Sequence, residues 1–407
     1  MLSYWTRAWF VVIALALVVA PSAYADVVTD ANAKAAEIAS RLPGTPPAVR
    51  AMAIVQVSVF EAVNAVNGRY PAFRAKLAPA PGASVDAAVA AATRGALLKL
   101  VPSQQAAIEA DYEVALKSVP DGPAKAAGII LGEQAAAAIV TMCADDGVTA
   151  ADTYRPHAAP GIYAPTMLPA VPHWGKRRPW LMTRGDQFRP GPPPTLTTDT
   201  WTRDYAEIKA IGGRNSTVRT AEQTAIAKFW EATAPNVYWP VARSVARQPG
   251  RDVTDNARLL AVAAMAMDDA LIAVFDAKYH YNFWRPITAI RNGHDGSGGD
   301  TREAGWAPFI DTPMHPEYPC AHCIVSSSLG AVLAAEIGSG PSPKLSSTSV
   351  TAQNAVRTWA TVNDFTQEVA VARIYDGVHY RNSTLVGTLM GKKIGELAVQ
   401  SFPKPVK

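Results

Sequence analysis

Alanine-rich apolar segments with the period of an α-helix are the feature that most restricts the fold of this chain. They recur along most of the sequence, whereas strand-like alternation bounded by turn residues is scarce. Helices are expected at 31–42, 46–66, 84–100, 103–118, 123–142, 201–211, 219–232, 255–277, 324–337, 350–372 and 384–400. With 407 residues, of which 49% are hydrophobic, the chain can bury a large core. We therefore predict an all-α fold built of helical bundles.

A proline-dense stretch separates the helical segments into two groups. Ten prolines fall between positions 156 and 194. Because proline lacks a backbone N–H and clashes with the preceding turn, a helix cannot persist at that density. Residues 155–200 are therefore predicted to form a long irregular crossover. It would connect an N-terminal helical region, residues 26–154, to a C-terminal helical region, residues 201–407, that carries the chemistry.

The N-terminus has the pattern of an export signal. Arg7 precedes the apolar run AWFVVIALALVVA, and Ala23 and Ala25 form the small-x-small pattern that signal peptidases recognise. Residues 1–25 are therefore predicted to be a signal peptide, and the run is short for a membrane span. We expect a periplasmic or secreted protein without a stable membrane span. The formal charge of +4 and the absence of a basic cluster argue against nucleic-acid binding.

The cysteines are few and unevenly placed. An exported chain with Cys143, Cys320 and Cys323 can form at most one internal disulfide. Cys320 and Cys323 are the natural pair by proximity, which would leave Cys143 as a buried apolar residue. Whether that pair is oxidised is left open by the sequence.

Three short motifs in the last 130 residues of the chain carry the candidate chemistry. They are KYHYNFWRP from Lys278, PCAH ending at His322, and RIYDGVH from Arg373 to His379. Two guanidinium groups and an ammonium group that converge would repel one another unless an anion lay between them. Arginine also pairs well with tetrahedral oxyanions, and a helix start supplies free N–H groups. The motifs therefore predict an oxyanion site in which histidine is a nucleophile or an acid–base group.

The same motifs resemble a known superfamily. The order Lys-x6-Arg-Pro, Pro-x-x-His and Arg-x5-His is similar to the signature of vanadium-dependent haloperoxidases and type-2 phosphatidic acid phosphatases. The segments FEAVNAVNGRY, TAEQTAIAKFW and NFWRPITAIR add weaker support. An exported helical chain of this length resembles the soluble bacterial haloperoxidase branch. The resemblance implies either halide oxidation by hydrogen peroxide with bound vanadate, or phosphomonoester hydrolysis through a phosphohistidine without a cofactor.

The resemblance also implies roles for individual residues. The equatorial oxygens of vanadate or phosphate would be held by Lys278, Arg285, Arg373, the backbone N–H of Ala321, and Cys320 at the place of the family's serine. His379 would be the vanadium ligand or the phosphorylated nucleophile. His322 would be the acid–base group, and Lys278 would polarise the bound peroxide. Partners would then be small molecules, and a homo-oligomer is left open.

Further positions bear on the type of activity. Bromoperoxidase-like members of the family also carry histidine at the position of His315, where an imidazole could tune a neighbouring proton; the alternative is a loop histidine that caps a carbonyl. A Cys320 thiol would be a poorer donor than the family's serine. Ser383 stands where the family often has an aspartate, so His379 is expected to be less basic, unless a backbone carbonyl substitutes.

Other interpretations are compatible with parts of the pattern. CAHC could be the active site of a thiol–disulfide oxidoreductase, although a strand and a βαβ surround are not evident. Cys320, His322 and Cys323 could bind zinc if a fourth ligand came from elsewhere. An inactive binding protein on the same scaffold is also compatible with Cys320 and Ser383. Arg373 could form an ordinary surface pair with Asp376.

A pair of adjacent carboxylates lies in the predicted helix 255–277. Asp268 and Asp269 look like a paired-carboxylate site at first sight. Adjacent residues do not share one helix face, so a joint metal or acid–base role is disfavoured.

Overall fold

The computed structural model describes residues 26–298 and 301–406. The predicted signal peptide, residues 1–25, lies outside them. The described part is mostly helical, as predicted, with 13 α-helices and a single small β-hairpin. The helices are α1 (Val27–Ala39), α2 (Thr45–Asn67), α3 (Val85–Leu100), α4 (Gln105–Lys117), α5 (Pro123–Met142), α6 (Asp199–Ile211), α7 (Ala221–Trp230), α8 (Trp239–Ala246), α9 (Val253–Tyr281), α10 (Pro286–Asn292), α11 (Ala321–Ile337), α12 (Val362–Tyr375) and α13 (Arg381–Ser401). The strands are β1 (Leu345–Ser349) and β2 (Ala355–Trp359).

Helix α9 is the central element of the core. Its residues from Leu259 to Phe275 are buried, and it packs against α2, α11 and α13. Asp252 caps its N-terminus by accepting hydrogen bonds from the N–H groups of Thr254 and Asp255. Because this part of α9 is enclosed by other helices, Lys278 in its last turn lies in the protein interior.

Among the described residues, two helices, α2 and α5, are long and apolar enough to cross a membrane by length and composition. The apolar window of α2 is 89% buried inside the protein, whereas that of α5 is 33% buried. A core helix passes the same length test, so the burial of α2 accounts for its apolar sequence.

The crossover between the two groups of helices is irregular. Residues 143–198 contain no α-helix, only the 3₁₀ turn Trp174–Lys176. The chain is held against α9 by side chains of that helix. Asp269 accepts hydrogen bonds of 2.7, 2.9 and 2.9 Å from three consecutive backbone N–H groups at 180–182. The adjacent carboxylates of α9 therefore anchor the crossover instead of forming a joint site.

The β-hairpin is the main departure from the predicted secondary structure. A helix was expected at 350–372, but 355–359 is a strand and the helix begins only at Val362. Gln353 and Asn354 adopt positive φ angles of 54° and 61°, which makes the tight turn between the strands. The prediction was wrong because apolar residues at helical spacing were counted across a turn whose conformation interrupts them.

Glycines set the spacing between the two helices that flank the candidate site. Gly387, Gly391 and Gly395 lie on the face of α13 that contacts α11. A Cβ atom at any of them would clash with a carbonyl oxygen of α11 or its N-cap. The absence of side chains therefore lets the start of α11 approach the start of α13 closely.

Candidate active site

The structure brings the six predicted cationic and imidazole side chains into one buried region. Lys278 lies in the last turn of α9, Arg285 precedes α10, and Arg373 lies in the last turn of α12. The histidines are His315 in the loop before α11, His322 in its first turn, and His379 between α12 and α13. Lys278, Arg285, Arg373 and His379 are each at most 1% exposed.

Two reversals of the chain create this convergence. Asn282 ends α9 in a left-handed conformation with φ of 50°, which turns the chain so that Arg285 returns towards Lys278. Gly377 has φ of 79° after the end of α12. The N–H of His379 donates to the carbonyl of Arg373 at 3.2 Å. In each of the motifs Lys-x6-Arg and Arg-x5-His, the residues between the two cited positions are thus the ones that form the reversal of the chain.

Arg285 contacts two of the three histidines of the site. Its Nε donates to the carbonyl oxygen of His315 at 2.9 Å, and its Nη1 donates to that of Val378 at 2.8 Å. Nη1 also lies 3.3 Å from Nε2 of His379, and Nη2 lies 3.0 Å from Nδ1 of His315. Since a guanidinium group only donates, Nε2 of His379 accepts in this contact. Nδ1 of His315 lies between the guanidinium donor and an acceptor, the carbonyl oxygen of Pro316 at 3.2 Å. Burial lowers the pKa of Arg285 to about 10.

Lys278 fixes the loop in front of α11. Its Nζ donates to the carbonyl oxygens of Pro316 and Glu317 at 2.8 and 2.7 Å. Burial, followed by the charge of Arg285, lowers the pKa of Lys278 well below its usual value. An anion beside this ammonium group would favour its charged form.

Arg373 forms a buried ion pair and not a surface one. Its Nη1 lies 2.6 Å from Oδ2 of Asp376 and donates to the carbonyl of Trp230 at 2.8 Å. The surface pair considered from the i,i+3 spacing is thus replaced by one whose members are nearly inaccessible. The Nε of Arg373 is buried and has no hydrogen-bond partner among the described residues. A donor of this kind fits an oxyanion.

A carboxylate that the sequence analysis did not consider orients His379. Oε1 of Glu317 lies 2.8 Å from Nδ1 of His379 and accepts the N–H of Tyr380 at 3.1 Å. The Nδ1 proton is therefore held by Glu317, which leaves the lone pair of Nε2 directed towards Arg285. Ser383 lies farther away, with its Oγ 3.4 Å from Nδ1. The expectation that His379 lacks an acidic partner is corrected: Glu317 supplies it from another loop.

All three imidazoles are neutral groups in this environment. Burial is the first cause that lowers the pKa of His315, His322 and His379 well below 6.5, and neighbouring cations act in the same direction. The nearest polar contact of the His322 ring is long, 3.4 Å from Nε2 to the carbonyl of Ala232. His322 is therefore the least restrained of the three.

The cysteines form a disulfide. Cys320 and Cys323 are bonded to each other and fully buried, and Cys143 is a buried free thiol. Cys320 therefore has no S–H to donate, and its backbone N–H donates to the carbonyl of Ser383 at 3.3 Å. Ala321 is the first residue of α11, so its N–H has no partner within the helix. The sequence predicted two donors to the oxyanion in PCAH, Cys320 and the backbone N–H of Ala321. The structure leaves the N–H of Ala321 as the one that can donate.

The disulfide also bears on the two alternative interpretations of CAHC. A buried disulfide inside a helical bundle is closed to a partner dithiol, and it offers no thiolate to zinc. Among residues 26–298 and 301–406, no group of three or more His, Cys, Asp or Glu side chains is placed to hold a metal ion.

A cavity of about 360 Å³ opens onto this region. Residues from the N-terminal helices and the crossover line it together with residues of the C-terminal region. The lining includes Thr45, Pro46, Ala170, Tyr238, Leu271, Phe275, Met314, His315, Ala321, His322, Val325, Arg373 and His379. Arg373 and the three histidines are therefore accessible from this cavity.

The comparisons with known proteins agree with this geometry. A family model described as the VCPO second helical-bundle domain matches residues 258–407. The vanadium chloroperoxidase of Curvularia inaequalis is 28% identical over 185 residues, which cover 37% of this chain and 30% of that protein. The chain thus aligns with less than a third of its curated relative.

Solved structures extend the similarity to nearly the whole chain. A structure described as the first bacterial vanadium-dependent iodoperoxidase has a TM-score of 0.77 and 25% identity, with 92% of this chain and 96% of that chain covered. An apo-type bacterial vanadium-dependent chloroperoxidase has a TM-score of 0.72 and 17% identity, with 86% and 92% covered. The chain therefore has the helical fold of the bacterial vanadium haloperoxidases, and residues 258–407 match the second helical-bundle domain of that class of protein.

Proposed function

We propose that this protein is a vanadate-dependent haloperoxidase that oxidises halide with hydrogen peroxide. The observation that carries the proposal is the orientation of His379. Oε1 of Glu317 lies 2.8 Å from its Nδ1, its Nε2 lies 3.3 Å from Nη1 of Arg285, and the residue lines the cavity. A neutral imidazole with a fixed lone pair beside cationic donors is suited to bind a metal oxyanion.

The chemistry of the donor set fits vanadate. The Nε2 atom of His379 would be its protein ligand, and its oxygens would be held by Lys278, Arg285, Arg373 and the amide of Ala321. When bound, vanadate supplies an electrophilic centre that activates hydrogen peroxide towards halide. The partnerless Nε of Arg373 and the lowered pKa of Lys278 are both properties that a bound anion would relieve.

His322 is the proposed acid–base residue. It lies on the cavity wall, and its pKa is lowered by burial and by Arg373, so the neutral ring can accept a proton from hydrogen peroxide. Phosphatase activity at the same site would require a protonated His322 to assist the leaving alcohol. Phosphatase activity is therefore the alternative that the assays must separate from halide oxidation. The buried disulfide is also compatible with peroxide, because it removes an oxidisable thiolate from the site.

The central experiment measures vanadate binding and two activities on the same preparation. Vanadate affinity is measured by calorimetry, and the loaded protein is assayed with peroxide and iodide, bromide or chloride, beside hydrolysis of p-nitrophenyl phosphate. Halide oxidation that His379→Ala abolishes, and that the exposed control His280→Ala on α9 retains, is the expected result. Bound vanadate without halide oxidation would refute the proposal. Phosphate ester hydrolysis alone would replace it with the phosphatase.

We also propose that the protein is exported. The signal pattern of residues 1–25 and the disulfide between Cys320 and Cys323 support this location, since disulfides persist in oxidising compartments. Expression in a bacterial host followed by fractionation and N-terminal sequencing tests it. The expected product is periplasmic and begins at Asp26; a cytoplasmic product with an intact N-terminus would contradict it.

A further inference from the structure

A second cavity lies in the N-terminal helical region, among α1, α3 and α4. Its volume of about 480 Å³ is in the range of sites that enclose organic ligands. No residue lines both this cavity and the one at the candidate active site. Apolar side chains from all three helices line it, among them Val27, Ile38, Val89, Leu97, Ile108 and Val114. The cavity is therefore a separate candidate binding site.

Helix α4 turns its apolar face to this cavity. Ile108, Tyr112 and Ala115 lie at i, i+4 and i+7 of the helix, and all three line the cavity. Ile108 is the one buried residue of α4, and Val114 beside it on the lining is 66% exposed. A helix of 13 residues is marginal in water without packing against an apolar face. An apolar ligand in the cavity would supply that packing, and its burial would be favourable.

Two ion pairs connect α4 to the neighbouring helices and occupy the cations of the lining. Arg94 of α3 donates from Nε and Nη2 to the two carboxylate oxygens of Glu109, at 2.6 and 2.7 Å. Nζ of Lys34 on α1 lies 3.5 Å from Oδ1 of Asp111. Lys34 and Arg94 are the two cations that line the cavity. An anionic group that entered would therefore compete with a carboxylate for either of them.

The carboxylate of Asp86 is differently placed. It lines the cavity from the first turn of α3, it is exposed, and none of the described residues forms an ion pair with it. The other carboxylate of α1 on the lining, Asp30, lies 3.8 Å from Nη2 of Arg247. Inside the cavity, Oγ1 of Thr93 is buried and has no hydrogen-bond partner among the described residues. The lining thus combines an apolar interior with a carboxylate that is open to a cation.

We propose that this cavity binds a cationic amphiphile, an apolar chain that carries one ammonium group. The chain lies against Ile108 and Leu97, and the ammonium group donates to the carboxylate of Asp86. The ligand stabilises α4 by covering its apolar face. The inference does not depend on halide oxidation, since the two cavities share no lining residue.

Calorimetry with decylammonium as the probe tests the site, and decyl sulfate provides the same chain with an anionic head. Both are kept below their micelle concentrations. We expect saturable binding of decylammonium that is about tenfold tighter than that of decyl sulfate, because the ion pair with Asp86 is gained and repulsion is avoided. Asp86→Asn should remove most of this preference while the protein still binds the chain.

Two substitutions fill the cavity from different helices. Ala115→Phe on α4 and Ala31→Phe on α1 should each weaken decylammonium binding by about tenfold or more. Ala127→Phe, on an exposed face of α5, is the matched control and should bind like the parent protein. Urea denaturation shows which variants are folded, so the test does not depend on either substitution alone.

Three results would overturn the inference: no saturable binding, equal affinity for decylammonium and decyl sulfate, or parent-like binding in a folded variant with a filled cavity. Vanadate binding is measured in the same variants and should match the parent value. Its absence in the parent would count against the proposed function, whereas decylammonium binding reports on this cavity alone.

Discussion

Helix α9 and its neighbours carry two buried clusters of charged residues. Both contain arginine, but one holds the crossover in place and the other forms the candidate site. In the anchor cluster, Arg177 donates to Asp268 at 2.8 Å and to Asp146 at 2.6 Å, and Asp146 also accepts from Arg50. In the second cluster, which we call the cage, Lys278 and two arginines converge with three histidines. The anchor neutralises itself, whereas the cage presents donors and a lone pair to a cavity.

The electrostatics of the two clusters differ accordingly. In the anchor, the pKa of Asp146 is lowered and that of Arg177 is raised, since each carries its counter-charge. In the cage, burial and like charges lower the pKa values of Lys278 and Arg285. Removing one member of a closed, buried ion cluster destabilises the fold, whereas an open cluster is a candidate binding site. The predictions below test that separation of roles.

The largest expected effect is on catalysis and comes from the cage. His322→Ala should lower the rate of halide oxidation about 10²–10⁴-fold, because a positioned acid–base group is lost. Vanadate affinity and the free energy of unfolding should stay close to the parent values, since the ring makes only one long polar contact. Rate, calorimetric affinity and urea unfolding are measured together. A fall in stability that matches the fall in rate would assign His322 to the fold instead.

The second effect is on stability and comes from the anchor. Asp268→Ala should lower the free energy of unfolding by about 3–5 kcal/mol, because Arg177 would be left buried with an incomplete partner set. Asp145→Ala, at an exposed neighbour in sequence of Asp146, is the matched control and should leave it unchanged. Urea denaturation gives both values. If Asp268→Ala were as stable as the control, the anchor would not be a stabilising cluster.

The third effect concerns Glu317, the carboxylate that orients His379. Glu317→Gln should weaken vanadate binding about 10–100-fold, because a group that orients a ligating histidine is replaced by a neutral amide. The effect should be on affinity more than on the rate at saturating vanadate. Titration calorimetry and saturation kinetics separate the two. Unchanged affinity would show that Glu317 belongs with the structural carboxylates and not with the cage.

The effect that is smallest per pH unit is the pH dependence contributed by the anchor. Burial raises the pKa of Asp269 to about 7, against three backbone N–H donors that lower it. Because its folded-state pKa exceeds the unfolded-state value, the stabilisation from its protonated form is complete below about pH 4 and is lost as pH rises towards 7. The stability difference between the parent and Asp269→Asn should fall by at most about 1.4 kcal/mol per pH unit in this window. Urea denaturation at several pH values measures it, and a rising difference would contradict the assignment.

The helices and the cage residues were predictable because their signals are local. Apolar periodicity located most of the helices, while α8, with proline in its first turn, was missed as a short element within a loop. The spacing of each cage motif matched a helix end and one turn of chain. The hairpin at 345–359 was missed, since its turn depends on two residues with positive φ.

Glu317 could not be found in the same way. Its signal was present in HPEYP, a glutamate between two prolines next to PCAH. Its partner His379 is 62 residues away, and no spacing rule connects two loops across that distance. The role of Asp268 and Asp269 was hidden for the same reason, because their partners lie in the crossover about 90 residues earlier.

By itself, the sequence determined the helical fold, the irregular crossover and the residue types of an oxyanion site, since these follow from backbone propensity and short spacings. Only the tertiary structure decided which charges meet. It paired Asp268 with Arg177, gave His379 its carboxylate through Glu317, and lined a cavity with residues from α2, the crossover and α9. These outcomes depend on the packing of segments far apart in the chain, and buried electrostatics acts over a few ångströms of space regardless of separation in sequence.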